Sequence, residues 1–218
     1  MYSERFRTIF VHIPRTGGQS VEGAFLGKQE LTWRTRGSLL LGRNPKRGAK
    51  PKYLGHLLAR EYVELGFVAP DAFASCLKFT IARNPFDRVL SEYRYRAQKH
   101  PLELQEFLDF LTRPRHDRHI IPAASYVLDG SGKLMVDRVI RFESISHDFS
   151  MLSKAIFGAE IDLPHVNRTS FQGAVRPLSE DEKTLIYRHY ECDFDLFRYP
   201  RGIEFHWVGQ NRVCGAEQ

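Results

Sequence analysis

The sequence predicts an α/β fold, a parallel β-sheet flanked by helices on both faces, in a single domain covering residues 1–218. Two observations carry that expectation. Short β-rich apolar runs alternate with helical patterns along the chain. Two of those runs, Thr8–Ile13 and Cys76–Ala82, end in the same way, with a cation, a turn and a helix start. No internal repeat or low-complexity tract argues for a solenoid or a disordered chain.

In order, Thr8-Ile9-Phe10-Val11-His12-Ile13 reads as a buried first strand, stopped by Pro14. Gly17-Gly18 supplies a tight turn, Ser20 is the expected N-cap of a helix over 21–26, and Gly27 is its expected stop. Residues 34–51, rich in Arg, Lys and Gly, read as a mobile surface loop, and Gly55-His56 as the opening of a helix through Leu65. After the second strand, Asn84-Pro85 begins a long helix with Phe86, Val89, Leu90, Tyr93 and Ala97 on one face. An amphipathic helix over 102–111, a third strand over 136–142 and a helix over 148–157 ended by Gly158 follow. Residues 163–168 lack periodicity, and Ser179-Glu180-Asp181-Glu182 is a capping box leading into a helix over 183–190.

Bulk composition narrows the classes of function. The chain has 218 residues, with 32 Lys+Arg against 26 Asp+Glu for a formal charge of +6, a balance that favours anionic ligands. Most of the excess lies between Arg34 and Lys52 and around Arg113–Arg118. Cys76, Cys192 and Cys214 show no metal spacing, which disfavours a disulfide framework and points to a reducing compartment. No apolar stretch is long enough to span a bilayer and no signal peptide is read, so a soluble, cytoplasmic protein is expected.

The chemistry concentrates in the two strand–turn–helix motifs. In His12-Ile13-Pro14-Arg15-Thr16-Gly17-Gly18-Gln19-Ser20 the glycines let the backbone approach an anion, and the helix start adds orphan N–H donors. Arg15 adds a full charge, Thr16 and Ser20 hydroxyls. In Arg83-Asn84-Pro85-Phe86-Asp87-Arg88-Val89-Leu90-Ser91 a guanidinium fork and, eight residues on, a hydroxyl suit a phosphate monoester. Arg88 and Arg94 are expected to be partly solvated, and Tyr93 and Tyr95 to pack or stack. The logic is that of a phosphate-binding P-loop, but the G-x-x-x-x-G-K-[ST] spacing of nucleoside triphosphatases is absent, and no strand ends in an obvious magnesium-binding aspartate.

Read together, residues 12–20 resemble the 5′-phosphosulfate loop of the sulfotransferases, and residues 83–93 resemble their 3′-phosphate motif. The similarity is greatest to the carbohydrate sulfotransferases of family 2 type. It extends through Val139-Ile140-Arg141-Phe142-Glu143-Ser144-Ile145 with Asp148-Phe149, Leu163-Pro164-His165-Val166-Asn167-Arg168, and Tyr190 with Asp193-Phe194. The resemblance implies a P-loop-type sheet and 3′-phosphoadenosine 5′-phosphosulfate as sulfate donor, with no metal. It implies that Arg15, Thr16, Gly17, Gly18, Gln19 and Ser20 hold the 5′-phosphosulfate, Arg83 and Ser91 the 3′-phosphate, and that Asn167 and Arg168 lie near the donor. The family usually has lysine where this chain has Arg15. A guanidinium neutralises charge on the bridging oxygen but does not donate a proton near neutral pH.

The implied acceptor is a glycan or glycolipid hydroxyl, with the basic loops hinting at an acidic one and a glycolipid implying peripheral membrane contact; nucleic acid is not an expected partner. For the base, His56 comes first: it follows Gly55 in an apolar run, as a Gly-His pair does in similar carbohydrate sulfotransferases, and histidine suits proton removal at neutral pH. His12 is expected to orient the loop and His119 to line the acceptor cleft. Two other classes compete. A P-loop kinase-like phosphotransferase needs a Lys-Ser/Thr loop and a magnesium carboxylate, and a non-enzymatic binder of anionic polymer would rest on the +6 charge and the Arg34–Lys52 loop.

Overall fold

The computed structural model describes residues 1–45, 48–113, 117–163 and 176–202. In chain order its elements are β1 (Tyr2–Ser3), β2 (Thr8–Val11), α1 (Gly18–Lys28), a 3-10 turn (Arg36–Leu39), α2 (Glu61–Glu64), α3 (Pro70–Ser75), β3 (Leu77–Ala82), α4 (Pro85–Ala97), α5 (Leu104–Leu111), α6 (Ala124–Val127), β4 (Arg138–Arg141), a second 3-10 turn (Phe142–Ser144), α7 (Ile145–Phe157) and α8 (Glu180–Phe197). They form two compact units, Met1–Ala82 with Tyr126–Arg168, and Arg83–Ser125 with Thr169–Gln218.

The first unit holds a four-stranded sheet in the order β1-β2-β3-β4. β2, β3 and β4 are mutually parallel, with Phe10 opposite Phe79 and Ile81 opposite Ile140, while the two-residue β1 runs antiparallel to β2. This mostly parallel, helix-flanked sheet is the expected α/β class of P-loop type. β2 and the last five residues of β3 are buried, as a central parallel strand requires. Phe10 and Phe79 stack at 4.9 Å and join Val21, Phe25, Ile140, Phe149 and Ile156 in one core cluster. Ile9 and Val11, on the opposite side of the pleat, are also fully buried. At the far strand, Asp137 accepts from the Lys78 backbone N–H at 2.7 Å and pairs with its ammonium at 3.1 Å.

The second unit is built on α4, α5 and α8. Asn84 caps α4 by accepting from the Phe86 N–H at 2.9 Å, with Pro85 at the first helical position. The capping box of α8 forms as read, Ser179 and Glu182 each accepting the other's backbone N–H. Arg88 is the hub, and it corrects the expectation of a solvated side chain. It is 3 % exposed, donates to the carbonyls of Ile121 (2.8 Å) and His119 (3.3 Å), and lies 3.4 Å from Asp193. Asp193 also accepts from the Ala123 and Ala124 N–H groups at 2.8 and 2.7 Å, and burial still pushes its carboxyl above the usual range. Tyr190 donates to the Ile120 carbonyl at 2.6 Å, at a break in the helical dihedrals of α8.

Other expectations are corrected too. α1 starts at Gly18, because Gly17 takes the cap position in a left-handed conformation, and it runs through Gly27 to Lys28. The helix expected from Gly55 shrinks to α2, since Ala59 donates its N–H to the Tyr126 carbonyl at 2.7 Å instead of to a helical partner. The basic loop is tied down: Leu39 and Leu41 enter the core, and Arg43 and Tyr53 form a β-bridge. Cys76 is a buried free thiol, but Cys192 is disulfide-bonded, a bond that the reading disfavouring a disulfide framework did not include.

Candidate functional site

Because β2, β3 and β4 are parallel, their carboxyl ends share one edge of the sheet, where open α/β sheets bind ligands. The first motif leaves β2 at that edge. Arg15 has φ +68° and Gly17 φ +80°, with Thr16 between them at ordinary φ. Alternating φ of this kind turns successive backbone N–H groups into one concavity, the form that holds anions. A left-handed arginine costs about 1–2 kcal/mol, so the loop carries strain where its charge sits. The Thr16 hydroxyl donates to the Ile13 carbonyl at 2.8 Å and closes the turn.

α1 then begins with no side-chain cap and no carboxylate in its first turn. The Ser20 N–H turns back to the Gly17 carbonyl at 3.1 Å, and the positive dipole end of the helix faces no carboxylate of its own first turn. Both glycines are required by space. A Cβ on Gly17 would lie 2.9 Å from Cε2 of Phe142, the residue directly after β4. A Cβ on Gly18 would lie 2.3 Å from Cδ2 and 2.4 Å from Nε2 of His12. Gln19 is exposed and Ser20 half-buried at the helix start.

His56 belongs to the same unit and comes to this loop. Its Nδ1 is 3.0 Å from the His12 carbonyl oxygen, and the two imidazoles meet edge-on at 4.6 Å. A carbonyl only accepts, so Nδ1 carries the proton, and Nε2 of the neutral ring keeps its lone pair. His12 stacks on Phe10 at 5.4 Å and bonds through Nδ1 to Glu22 at 2.6 Å. Glu22 escaped sequence reasoning. The available signal was a carboxylate on the inward side of a helix that otherwise favours anions.

The second motif lies in the second unit. Arg83, the residue after β3, is half-buried, and Ser91 is 7 % exposed on α4. His119 lies with Glu92, Arg96 and Asp117 along a cavity of 740 Å³ in that unit. It bonds through Nδ1 to Glu92 at 3.1 Å and stacks with Tyr95 at 6.1 Å, while Arg96 bridges Glu92 and Asp117 at 2.8 and 2.6 Å. Tyr93 and Tyr95 pack and stack as read, Tyr93 also donating to the Leu102 carbonyl at 3.1 Å. Of the later motifs, Asp148 accepts from Ser144 and from the Arg141 N–H, and Phe149 enters the core, so both serve the fold. Asn167 and Arg168 lie outside the described residues.

Among the described residues, no helix is long and apolar enough to cross a membrane. Comparison with curated proteins and with solved structures gives no significant match. The model of the sulfotransferase family matches residues 1–200, which takes in both motifs, the whole sheet and α8. Because that match covers 200 of the 218 residues, the chain belongs to the sulfotransferase family.

Proposed function

We propose that this sulfotransferase takes its sulfuryl group from 3′-phosphoadenosine 5′-phosphosulfate and transfers it in line to a hydroxyl of a carbohydrate or glycolipid acceptor, with His56 as base. The observation that carries the reading is the loop from Arg15 to Ser20: left-handed at Arg15 and Gly17, without a side-chain cap or carboxylate at the helix start, and with an oriented histidine beside it.

In the proposed reaction the acceptor oxygen forms a bond to sulfur as the bond from sulfur to the bridging phosphate oxygen breaks. The electron pair of that bond leaves with 3′-phosphoadenosine 5′-phosphate, and the acceptor proton goes to Nε2 of His56. Arg15 and the loop N–H groups offset charge building on the bridging and sulfuryl oxygens. Nδ1–H, bonded to the His12 carbonyl, fixes the tautomer in which Nε2 is basic. Arg83 and Ser91 are proposed to bind the 3′-phosphate, Arg83 through charge-assisted hydrogen bonds. The basic stretches at 34–52 and 113–118 favour an acceptor carrying uronate or sulfate.

The test is transfer of radiolabelled sulfate from the labelled donor to a panel of neutral, uronate-containing and already sulfated oligosaccharides and glycolipids. Wild type should label at least one acidic member, and His56→Ala should be slower by about 10²–10⁴-fold. An absence of label on every acceptor contradicts the function. Full activity of His56→Ala removes the base and leaves the rest standing.

A further inference from the structure

An anion cradle is a poor place for a carboxylate, yet Glu22 sits on the helix that opens it, with its side chain only 7 % exposed. Its Oε1 lies 2.6 Å from Nδ1 of His12, whose side chain is equally buried. The ionised carboxylate only accepts, so it holds the proton of His12 on Nδ1 and fixes that ring. The ring is confined on two further sides, stacked on Phe10 and pressed against Gly18, where even a methyl group would collide. The main chain of the same histidine receives Nδ1–H of His56, and its ring edge meets the His56 ring at 4.6 Å.

These contacts form one chain: carboxylate, first imidazole, main-chain carbonyl, second imidazole. We infer that Glu22 and His12 are positioning residues that hold His56 in the Nδ1–H tautomer, with Nε2 directed to the acceptor hydroxyl. The inference rests on the proposed role of His56 as base. It explains why a buried carboxylate is tolerated beside an anion site: it acts on the histidine pair and leaves the first turn of α1 without negative charge. Outer partners that orient metal-bound histidines alter activity about 10–100-fold when removed, and an effect of that order is expected for this metal-free pair.

The test combines ring-nitrogen NMR of His56, in protein saturated with 3′-phosphoadenosine 5′-phosphate, with steady-state transfer to the best acceptor of the panel. In wild type, long-range proton–nitrogen correlations should report the Nδ1–H form of His56; an Nε2–H form overturns the inference without any variant. Glu22→Ala should mix the two tautomers and lower kcat about 10–100-fold with donor KM unchanged. Glu22→Gln, whose amide oxygen still accepts from His12, should restore a single tautomer and bring kcat back to within about threefold of wild type. Wild-type kcat and a single tautomer in Glu22→Ala overturn the inference, as does a glutamine variant as impaired as alanine. Should Glu22→Ala not fold, His12→Asn, which keeps the main-chain carbonyl, carries the same expectation of mixed tautomers and reduced kcat. His56→Ala separates the two layers: inactive His56→Ala with unimpaired Glu22 variants leaves the base in place and removes only the positioning role.

Discussion

Replacing Gly18 by alanine should damage the fold and the site together, through one collision. The added Cβ would stand 2.3 Å from Cδ2 and 2.4 Å from Nε2 of His12, about 1 Å short of the 3.4 Å at which ordinary contact begins. His12 cannot yield cheaply, being 6 % exposed, bonded to Glu22 at 2.6 Å and stacked on Phe10. If the ring stays, the backbone of α1 must shift, and overpacking of this kind costs about 1–3 kcal/mol. If the ring swings away, it gives up a hydrogen bond to a charged partner, a loss of about 1.5–3 kcal/mol. Either route predicts destabilisation of about 2 kcal/mol, read as a shift in the urea midpoint at constant slope. The double variant Gly18→Ala/His12→Ala removes the obstacle, so the two changes should be non-additive by about 1–2 kcal/mol, well above the ~0.5 kcal/mol scatter of independent sites. A Gly18→Ala protein as stable as wild type, or additive behaviour in the double variant, refutes the packing described here.

Other consequences concern separate parts of the chain. Arg88→Ala strands the buried Asp193 and two carbonyls, and should cost about 3–5 kcal/mol in chemical unfolding, so a loss under 1 kcal/mol would contradict the hub role. The bidentate bond from Arg176, with backbone and hydroxyl donation from Ser179, lowers the carboxyl of Glu182 from its ordinary 4.5 to about 2. A lowered folded-state value means the unfolded chain binds the proton first, so this stability is present above pH 4.5 and lost as pH falls toward 2. Glu182→Gln should therefore flatten the fall of stability across that acid window, and an unchanged slope would contradict the pair's contribution. Arg15→Lys, which supplies a proton donor at the bridging oxygen, should raise kcat several-fold with donor affinity within about threefold; a fall in kcat would show that the planar guanidinium is itself required.

The sequence displayed some parts of this molecule plainly. β2 and β3 were readable because central parallel strands are continuous apolar runs, and the starts of α4 and α8 because Asn84-Pro85 and the Ser179–Glu182 box are local chemistry. The glycine loop was readable for the same reason. The start of α1 was misread because two rules competed: Ser20 looks like a cap, but Gly17 turns left-handed and begins the helix earlier. Arg88 illustrates the other limit. Its burial depends on Asp193, more than a hundred residues away, and helical spacing alone gives no sign of that partner. Glu22 was invisible on the same grounds, since its value comes from facing His12 across the turn. Local rules thus reached the strands, turns and caps, while side-chain pairings set by tertiary packing needed coordinates.

The central claim is that one ligand with a phosphosulfate at one end and a 3′-phosphate at the other is what this chain binds. Calorimetric titration of the purified protein with 3′-phosphoadenosine 5′-phosphate and with 5′-AMP tests it most directly, since the two differ only in the group proposed for Arg83 and Ser91. Charge-assisted hydrogen bonds of about 1.5–3 kcal/mol predict that the bisphosphate binds about 10–150-fold more tightly, and that Arg83→Ala abolishes most of the difference. Equal affinity for the two nucleotides in wild type would contradict the account.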